Sequence, residues 1–218
     1  MFTPNRTRLE DILGSPTQFE IPRYQRDYKW GKDEALELIE DLQNTAQAED
    51  EYLFLGTFIF EEKRGAATLV VDGQQRLTTI LLLLVTCRAR AKALGLEALA
   101  ASILQKVAFV DSTTAESKGS RLIASGSIRD IFEFVVSDAW AGDFPPRIGR
   151  TPVRRQVKRI RPICEYFTKV LADFDRAALS SFLKAIYNAF AIRIDIDTSF
   201  FCMLPYFNNR IPDGFPHQ

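Results

Sequence analysis

Five consecutive residues combine the side chains that a phosphate-binding site requires: Asp72-Gly73-Gln74-Gln75-Arg76. They supply a carboxylate, a flexible turn, two amides that donate or accept hydrogen bonds, and a guanidinium suited to bidentate phosphate contact. A β-branched run ends just before this motif and a long apolar stretch begins at about Leu77, so the sequence predicts a strand, a turn and a helix. The start of such a helix presents unpaired backbone N–H groups and the positive end of its dipole, and Gly73 would let an anion approach closely.

The motif admits a functional and a structural interpretation. In the first, Arg76 and the helix start hold the β- and γ-phosphates of an NTP, while Asp72 binds Mg²⁺ or orients the attacking water. In the second, the same residues form a β-turn and a helix cap, with Asp72 as an ordinary turn residue and Arg76 in a surface ion pair. The sequence contains no Walker A motif, Rossmann glycine fingerprint, GxSxG elbow or HExxH pair, which disfavours the common nucleotide-binding folds.

A second polar segment, residues 21–30, is dense in guanidiniums, amides and aromatic rings. Its polar side chains could contact phosphates or a base, and its rings could stack on a base or anchor the segment on the core. The polar residues are Arg23, Gln25 and Arg26, and the aromatic residues are Tyr24, Tyr28 and Trp30. We expect Tyr28 or Trp30 to be packed against the core.

The strongest charge cluster lies at residues 147–161, where seven arginines and lysines occur without an acid. Arg154 with Lys158, and Arg155 with Arg159, are four residues apart and would form one ridge on a helix. The ridge could contact a nucleic-acid backbone in a salt-dependent way. Alternatively, it is a solvated face or a partner for an acidic helix predicted at residues 32–48. Because the formal net charge is zero, nucleic-acid binding would have to come from such a local patch.

Hydrophobic periodicity indicates the elements that position these residues. Strands are predicted at residues 18–21, 52–61, 68–71 and 191–196, with the second and third forming a hairpin that leads into the motif. Helices are predicted at residues 8–13, 32–48, 77–93, 97–106, 128–136, 153–171 and 177–190. The helix at 77–93 is apolar nearly all round in its first half, so we expect it to be central and buried.

The composition is that of an ordinary globular protein, with 46% hydrophobic and 26% charged residues. Cys87, Cys164 and Cys202 lie far apart and predict reduced core thiols, since a single histidine, His217, cannot complete a zinc site. The longest apolar run is too short for a membrane span and the N-terminus has no signal-peptide pattern, so a cytoplasmic location without membrane contact is the expectation.

Three collinear stretches of the sequence carry a resemblance to a known family. They are Ile21-Pro22-Arg23-Tyr24-Gln25-Arg26-Asp27-Tyr28-Lys29-Trp30, Phe54-Leu55-Gly56-Thr57-Phe58 and Val71-Asp72-Gly73-Gln74-Gln75-Arg76-Leu77-Thr78-Thr79. In order and spacing they resemble the N-terminal domain of GmrSD-type restriction endonucleases, with its DGQQR motif. The resemblance spans roughly the first 95 residues, and the helical remainder fits the family loosely.

The resemblance implies an α+β protein with a ParB/sulfiredoxin-like fold, in which a small mixed sheet with helices is followed by a mainly helical extension. Residues 1–95 would form the nucleotide-binding core and residues 96–197 the helical extension of the same domain. Residues 198–218 would be an irregular tail. There, Asn208-Asn209-Arg210-Ile211-Pro212 departs from the family's Asn-x-Arg-Gly pattern, so we expect a truncated or frame-shifted family member.

The same resemblance implies a function. The chain would be an NTP-binding and NTP-hydrolysing, Mg²⁺-dependent sensor domain of a phage-defence system that restricts modified DNA, with cleavage supplied by a separate HNH-type nuclease domain. The implied catalytic residues are Asp72, Gln74, Gln75 and Arg76, with Asp72 also on the metal. The implied nucleotide-binding residues are Arg23, Tyr24, Gln25, Arg26, Gly56, Gly73, Thr78 and Thr79, and the DNA-binding candidates are Arg154, Arg155, Lys158 and Arg159. The alternatives are a non-hydrolysing DNA-binding or regulatory module and an inactive fragment.

Overall fold

The computed structural model describes residues 4–22, 24–25, 27–48, 52–62, 67–110, 117–124, 127–136, 140 and 153–197. Within this part of the chain, eight strands and seven helices confirm the predicted α+β class. The strands are β1 (Asn5–Arg8), β2 (Phe19–Glu20), β3 (Phe54–Glu62), β4 (Thr68–Asp72), β5 (Ala108–Val110), β6 (Ser117–Ser120), β7 (Leu122–Ile123) and β8 (Phe190–Asp197). The helices are α1 (Leu9–Gly14), α2 (Lys32–Gln47), α3 (Gln74–Ala93), α4 (Glu97–Val107), α5 (Ser127–Val136), α6 (Val153–Leu171) and α7 (Arg176–Asn188).

Six strands form one mixed sheet in the order β1-β8-β3-β4-β2-β7. The predicted hairpin is present, because β3 and β4 pair antiparallel. β2 lies parallel to both β4 and β7, and β8 lies parallel to β3. The carboxyl ends of β2 and β4 therefore meet at the same edge of the sheet, where β3 begins. That edge carries both the 21–30 segment and the Asp72–Arg76 motif.

One face of the sheet forms the core with α3. Phe58 and Phe60 of β3 are fully buried, and the Phe60 ring lies 5.3 Å from the ring of Phe19 in β2. Helix α3 is buried on nearly every side from Leu77 to Cys87, as its all-round apolar sequence predicts. Its first turns thus have little freedom to move, which fixes the position of the motif that begins it.

The described helices that follow residue 96 share this core. Ile160 and Phe167 of α6 and Phe182 of α7 belong to the same cluster of buried side chains as Phe58. The buried guanidinium of Arg121 links two distant parts of the chain by hydrogen bonds. It donates to the carbonyl oxygen of Ser15 at 2.6 Å and to that of Gln105 at 2.7 Å. Burial lowers the pKa of this guanidinium.

The structure departs from the sequence-based elements in two respects. Helix α3 begins at Gln74 rather than at Leu77, so both glutamines of the motif lie in its first turn. Four short strands were not predicted, namely β1, β5, β6 and β7. Their sequences are short and polar or lack a clear alternation, and their register comes from partners distant in the chain, such as β8 for β1.

Cys87 and Cys164 are buried free thiols, as predicted, whereas Cys202 and the tail at 198–218 lie outside the described residues. None of the described helices has the combined length and apolarity that crossing a bilayer requires.

Candidate functional site

The site is built on the junction between β4 and α3. Gly73 joins them with φ of 87° and ψ of 3°, a left-handed conformation that side-chain-bearing residues rarely adopt. A Cβ atom at this position would also lie 2.5 Å from Cδ1 of Phe58. Both the backbone conformation and the close packing on the core therefore require glycine here, which lets α3 start directly at the sheet edge.

The start of α3 has the properties of an anion site. Its N-cap residue, Gly73, has no side chain to cap the helix, and its first turn contains no acidic residue. Backbone N–H groups at an uncapped helix start lack intrahelical acceptors and face the positive end of the dipole. Asp72, immediately before the turn, is exposed and so can reach a ligand or a metal ion bound there.

Gln75 is committed to backbone contacts. Its Oε1 atom accepts hydrogen bonds from the N–H groups of Lys29 at 2.7 Å and Trp30 at 3.2 Å. Its Nε2 atom donates to the carbonyl oxygen of Asp27 at 3.4 Å. The Gln75 side chain thus holds residues 27–30 against the first turn of α3.

The Arg76 side chain contacts residues of β3. Its guanidinium donates to the carbonyl oxygen of Leu55, and its Cζ atom lies 5.5 Å from the centre of the Phe58 ring. Gly56 has φ of 82°, and a Cβ atom on it would overlap the Arg76 guanidinium. Gly56 therefore makes room for Arg76. Arg76 is partly buried and bonded to the main chain, and among the described residues it has no ion pair of the kind that the structural interpretation expects.

The two threonines of α3 behave differently from each other. Thr79 donates to the carbonyl oxygen of Gln75 at 2.9 Å, and its Oγ1 atom lies 2.7 Å from the hydroxyl of buried Tyr28. Burial raises the pKa of Tyr28, and its hydrogen bond to Thr79 offsets part of that rise. Thr78 is also buried, but its Oγ1 atom has no hydrogen-bond partner among the described residues. Gln74, four residues before Thr78 and thus on the same side of α3, is buried too.

The 21–30 segment divides into packed and exposed residues. Tyr28 is buried, as expected for one of its rings, and Trp30 packs partly buried against the core. Gln25 donates from Nε2 to the carbonyl oxygen of Val71 at 2.7 Å, which ties the segment to the end of β4. Tyr24 is 72% exposed and free to stack on a ligand. Arg23 and Arg26 lie outside the described residues.

The part of the basic cluster at residues 154–161 falls on α6, as predicted, whereas Arg147 and Arg150 lie outside the described residues. Arg154 and Arg155 are in this helix, and their side chains are outside the described part. Lys158 and Arg159 are exposed. Arg159 nevertheless contacts the 21–30 segment, which Gln75 ties to the start of α3. Its Nη1 atom lies 3.3 Å from the carbonyl oxygen of Tyr28 and 3.5 Å from that of Lys29. The sequence gives no local signal for this contact, which joins residues 130 positions apart.

A groove of about 470 Å³ lies elsewhere, between the start of α2 and the middle of α6. It is lined by Lys32, Pro162, Glu165, Tyr166, Lys169, Val170 and Asp173. The ammonium of Lys32 lies 5.5 Å above the Tyr166 ring. The lining includes charges of both signs and none of the motif residues, so this groove is distinct from the start of α3.

The donor set at the α3 start suits Mg²⁺ only when a phosphate is present. The described residues contain no group of three or more His, Cys, Asp or Glu side chains that could hold a metal ion. Asp72 offers an exposed carboxylate within the motif. One carboxylate, with the remaining ligands from phosphate and water, is a common arrangement for Mg²⁺. The residues present therefore fit Mg²⁺ bound with a nucleotide.

Comparison with known protein families gave a match. A family model described as "GmrSD restriction endonuclease, N-terminal domain" matches residues 9–204. The matched region includes the motif, five of the six strands of the large sheet (all except β1) and helices α1 to α7. A search of curated proteins found no match.

Proposed function

Because this chain belongs to the family of GmrSD restriction endonuclease N-terminal domains, we propose that it is the nucleotide-binding component of a phage-defence restriction system. The observation that carries the proposal is the uncapped start of α3 beside the exposed carboxylate of Asp72. Triphosphate oxygens are acceptors of the kind that such a helix start binds. The buried hydroxyl of Thr78, in the second turn of α3, has no hydrogen-bond partner among the described residues, and helical side chains lean toward the helix N-terminus.

The residues of the motif divide into two roles under this proposal. The backbone at Gly73–Arg76 and the carboxylate of Asp72 face the ligand, whereas Gln75 and Arg76 fix the walls of the site through their bonds to residues 27–30 and Leu55. Tyr24, on the neighbouring segment, is exposed and would stack on the base. Mg²⁺, when bound, would neutralise charge on the phosphates. Asp72 would then bind that ion or orient the water that attacks the terminal phosphate.

The first experiment measures nucleotide affinity directly. Isothermal titration of the full chain with each NTP, with and without Mg²⁺, should give binding that Mg²⁺ strengthens. Asp72→Asn should weaken Mg²⁺-dependent binding by roughly tenfold or more and abolish phosphate release, because it removes the exposed carboxylate. Asp173→Asn, an exposed acid on the distant groove, is the matched control and should behave as wild type. Absence of NTP binding by wild type would reject the nucleotide site.

A second proposed activity is DNA-backbone contact through α6, with cleavage supplied by a separate HNH-type nuclease domain. Exposed Lys158 and the basic residues at four-residue spacing around it favour this activity. Binding to duplex DNA should weaken steeply as salt rises, and Lys158→Glu should reduce both the affinity and the salt slope. DNA binding unaffected by salt and by this reversal would exclude the contact.

A further inference from the structure

Residue Lys29 is held from two separate helices through its backbone. Its N–H group donates to Gln75 Oε1 of α3 at 2.7 Å. Its carbonyl oxygen accepts from Arg159 Nη1 of α6 at 3.5 Å, and the preceding carbonyl, of Tyr28, accepts from the same atom at 3.3 Å. The segment at residues 28–29 is thus hydrogen-bonded both to the first turn of α3 and to α6.

A guanidinium suits this position for geometric and electrostatic reasons. The two carbonyl groups are adjacent in the chain, and Arg159 Nη1 lies within reach of both. A cationic donor makes stronger hydrogen bonds to carbonyl oxygens than a neutral one does. Because Arg159 is exposed, solvent and salt moderate the contact, so its effect should be modest and measurable rather than decisive for folding.

We infer that Arg159 is a positioning residue of the site at the start of α3 and does not act as part of the DNA-binding ridge. By fixing the carbonyl groups of Tyr28 and Lys29, it keeps the Lys29 and Trp30 N–H groups aimed at Gln75. Gln75 in turn lies in the first turn of α3, where the ligand's phosphates would sit. This inference rests on the proposed nucleotide function for its ligand, while the contact itself is independent of that function.

Trp30 provides a direct readout of this segment. The chain has two tryptophans, and subtracting the spectrum of the matching Trp30→Phe protein isolates the Trp30 emission. We expect Arg159→Ala to shift this emission to longer wavelength, because Trp30 loses part of its fixed, partly buried environment. The same variant should weaken Mg²⁺-NTP binding roughly threefold to tenfold, in line with loss of one charged hydrogen-bond donor at an exposed position.

Two further variants separate positioning from a general charge effect. Arg159→Lys keeps a cationic donor and should recover most of the affinity and the emission wavelength. Lys169→Ala removes one exposed positive charge farther along α6 and should change neither readout. If Arg159→Ala lowers the melting temperature too far for titration, Arg159→Gln, which keeps an N–H donor, takes its place.

Three results would overturn the inference. One is an unchanged Trp30 emission in Arg159→Ala. Another is an equal loss of NTP affinity in Lys169→Ala. The third is a loss of DNA affinity in Arg159→Ala that equals the loss in Lys158→Glu, while the Trp30 emission wavelength stays unchanged. Arg159 would then be a DNA contact. Failure of wild type to bind any NTP would reject the proposed function instead, and the Trp30 emission would still decide the role of Arg159.

Discussion

At the scale of single residues, the amide of Gln75 connects the motif to a segment 45 positions earlier in the chain. Glutamine in a polar turn motif can bind a ligand or the main chain, and its side chain has the same donors and acceptors in either case. Contacts with Asp27, Lys29 and Trp30 assign it to the main chain. Its influence on a ligand is therefore exerted through the shape of the site.

Replacing Gln75 tests this assignment. Gln75→Leu leaves the N–H groups of Lys29 and Trp30 without their acceptor, so we expect it to lower the free energy of unfolding by about 1 to 2 kcal/mol. Gln75→Glu keeps an acceptor oxygen for these two N–H groups and loses only the donor to the Asp27 carbonyl oxygen, so it should cost less than the leucine variant. Urea denaturation of both proteins provides the comparison. Equal destabilisation by the two substitutions would contradict the role of Oε1 as an acceptor.

Gly56 and Gly95 form a matched pair for testing the Arg76 contact. Both have positive φ, 82° and 69°, so alanine carries a similar backbone penalty of about 1 kcal/mol at either position. A Cβ atom at Gly95 has nothing within 4 Å, whereas at Gly56 it would overlap Arg76. We expect Gly56→Ala to destabilise by about 1 to 3 kcal/mol more than Gly95→Ala, as overpacking does.

The double variant Gly56→Ala/Arg76→Ala completes this test by thermal or urea unfolding. Removing the guanidinium removes the overlap, so the two substitutions should cost less together than the sum of their separate effects. Strict additivity would show that Arg76 does not occupy the space above Gly56.

The sequence predicts where this candidate site lies in the chain better than it predicts which partners its side chains bond. The strand, turn and glycine of the motif are local signals, and the hairpin leading to Asp72 is present. The partners of Gln75, Arg76 and Arg159 come from residues 27–30 and Leu55, and no local pattern encodes those pairings. The individual roles of the motif residues toward a ligand remain predictions.

At the scale of elements, the long amphipathic or apolar segments were predictable and the short strands were not. α2, α4, α6 and α7 lie within one or two residues of their predicted bounds, because their hydrophobic stripes repeat at the helical period. β1 reads Asn5-Arg6-Thr7-Arg8, which has no apolar alternation, and it is a strand only because β8 pairs with it. Neighbour order in the sheet, such as parallel β2 beside β4, likewise depends on tertiary packing.

Helix α7 offers a test of how much a single cap contributes to an element. Asp175 precedes it and accepts a hydrogen bond from the N–H of Ala178 at 2.8 Å. Asp175→Ala should lower the free energy of unfolding by about 1 kcal/mol, and Asp175→Ser should retain most of it. Asp173→Ala, two residues earlier and also exposed, changes the same charge without a cap and should be nearly neutral. Equal losses at both positions would point to charge rather than capping.

At the scale of the whole molecule, the buried cluster runs from Leu9 through the sheet to α6 and α7 without a break among the described residues. Cys87 of α3 and Cys164 of α6 both lie in it, fully or almost fully buried. Burial raises the pKa of both thiols, so the native protein holds them protonated and unreactive. Reaction of the Cys87 thiol therefore reports the opening of α3, and reaction of the Cys164 thiol separately reports the opening of α6.

This pair of thiols tests whether the sheet and the helical extension unfold together. In a Cys202→Ser background, Cys87→Ser and Cys164→Ser each leave one thiol, whose labelling by a disulfide reagent at pH 8 requires opening of its helix. Because both thiols share one core, we expect their opening free energies to converge on the same value as urea increases, which is the behaviour of one cooperative unit. Labelling of Cys164 at markedly lower urea than Cys87 would show that α6 opens while the sheet and α3 stay folded. In that case the contact of Arg159 with residues 28 and 29 would break at a lower urea concentration than the one that unfolds the start of α3. Nucleotide affinity should then decrease over the same range of urea concentration in which Cys164 becomes labelled.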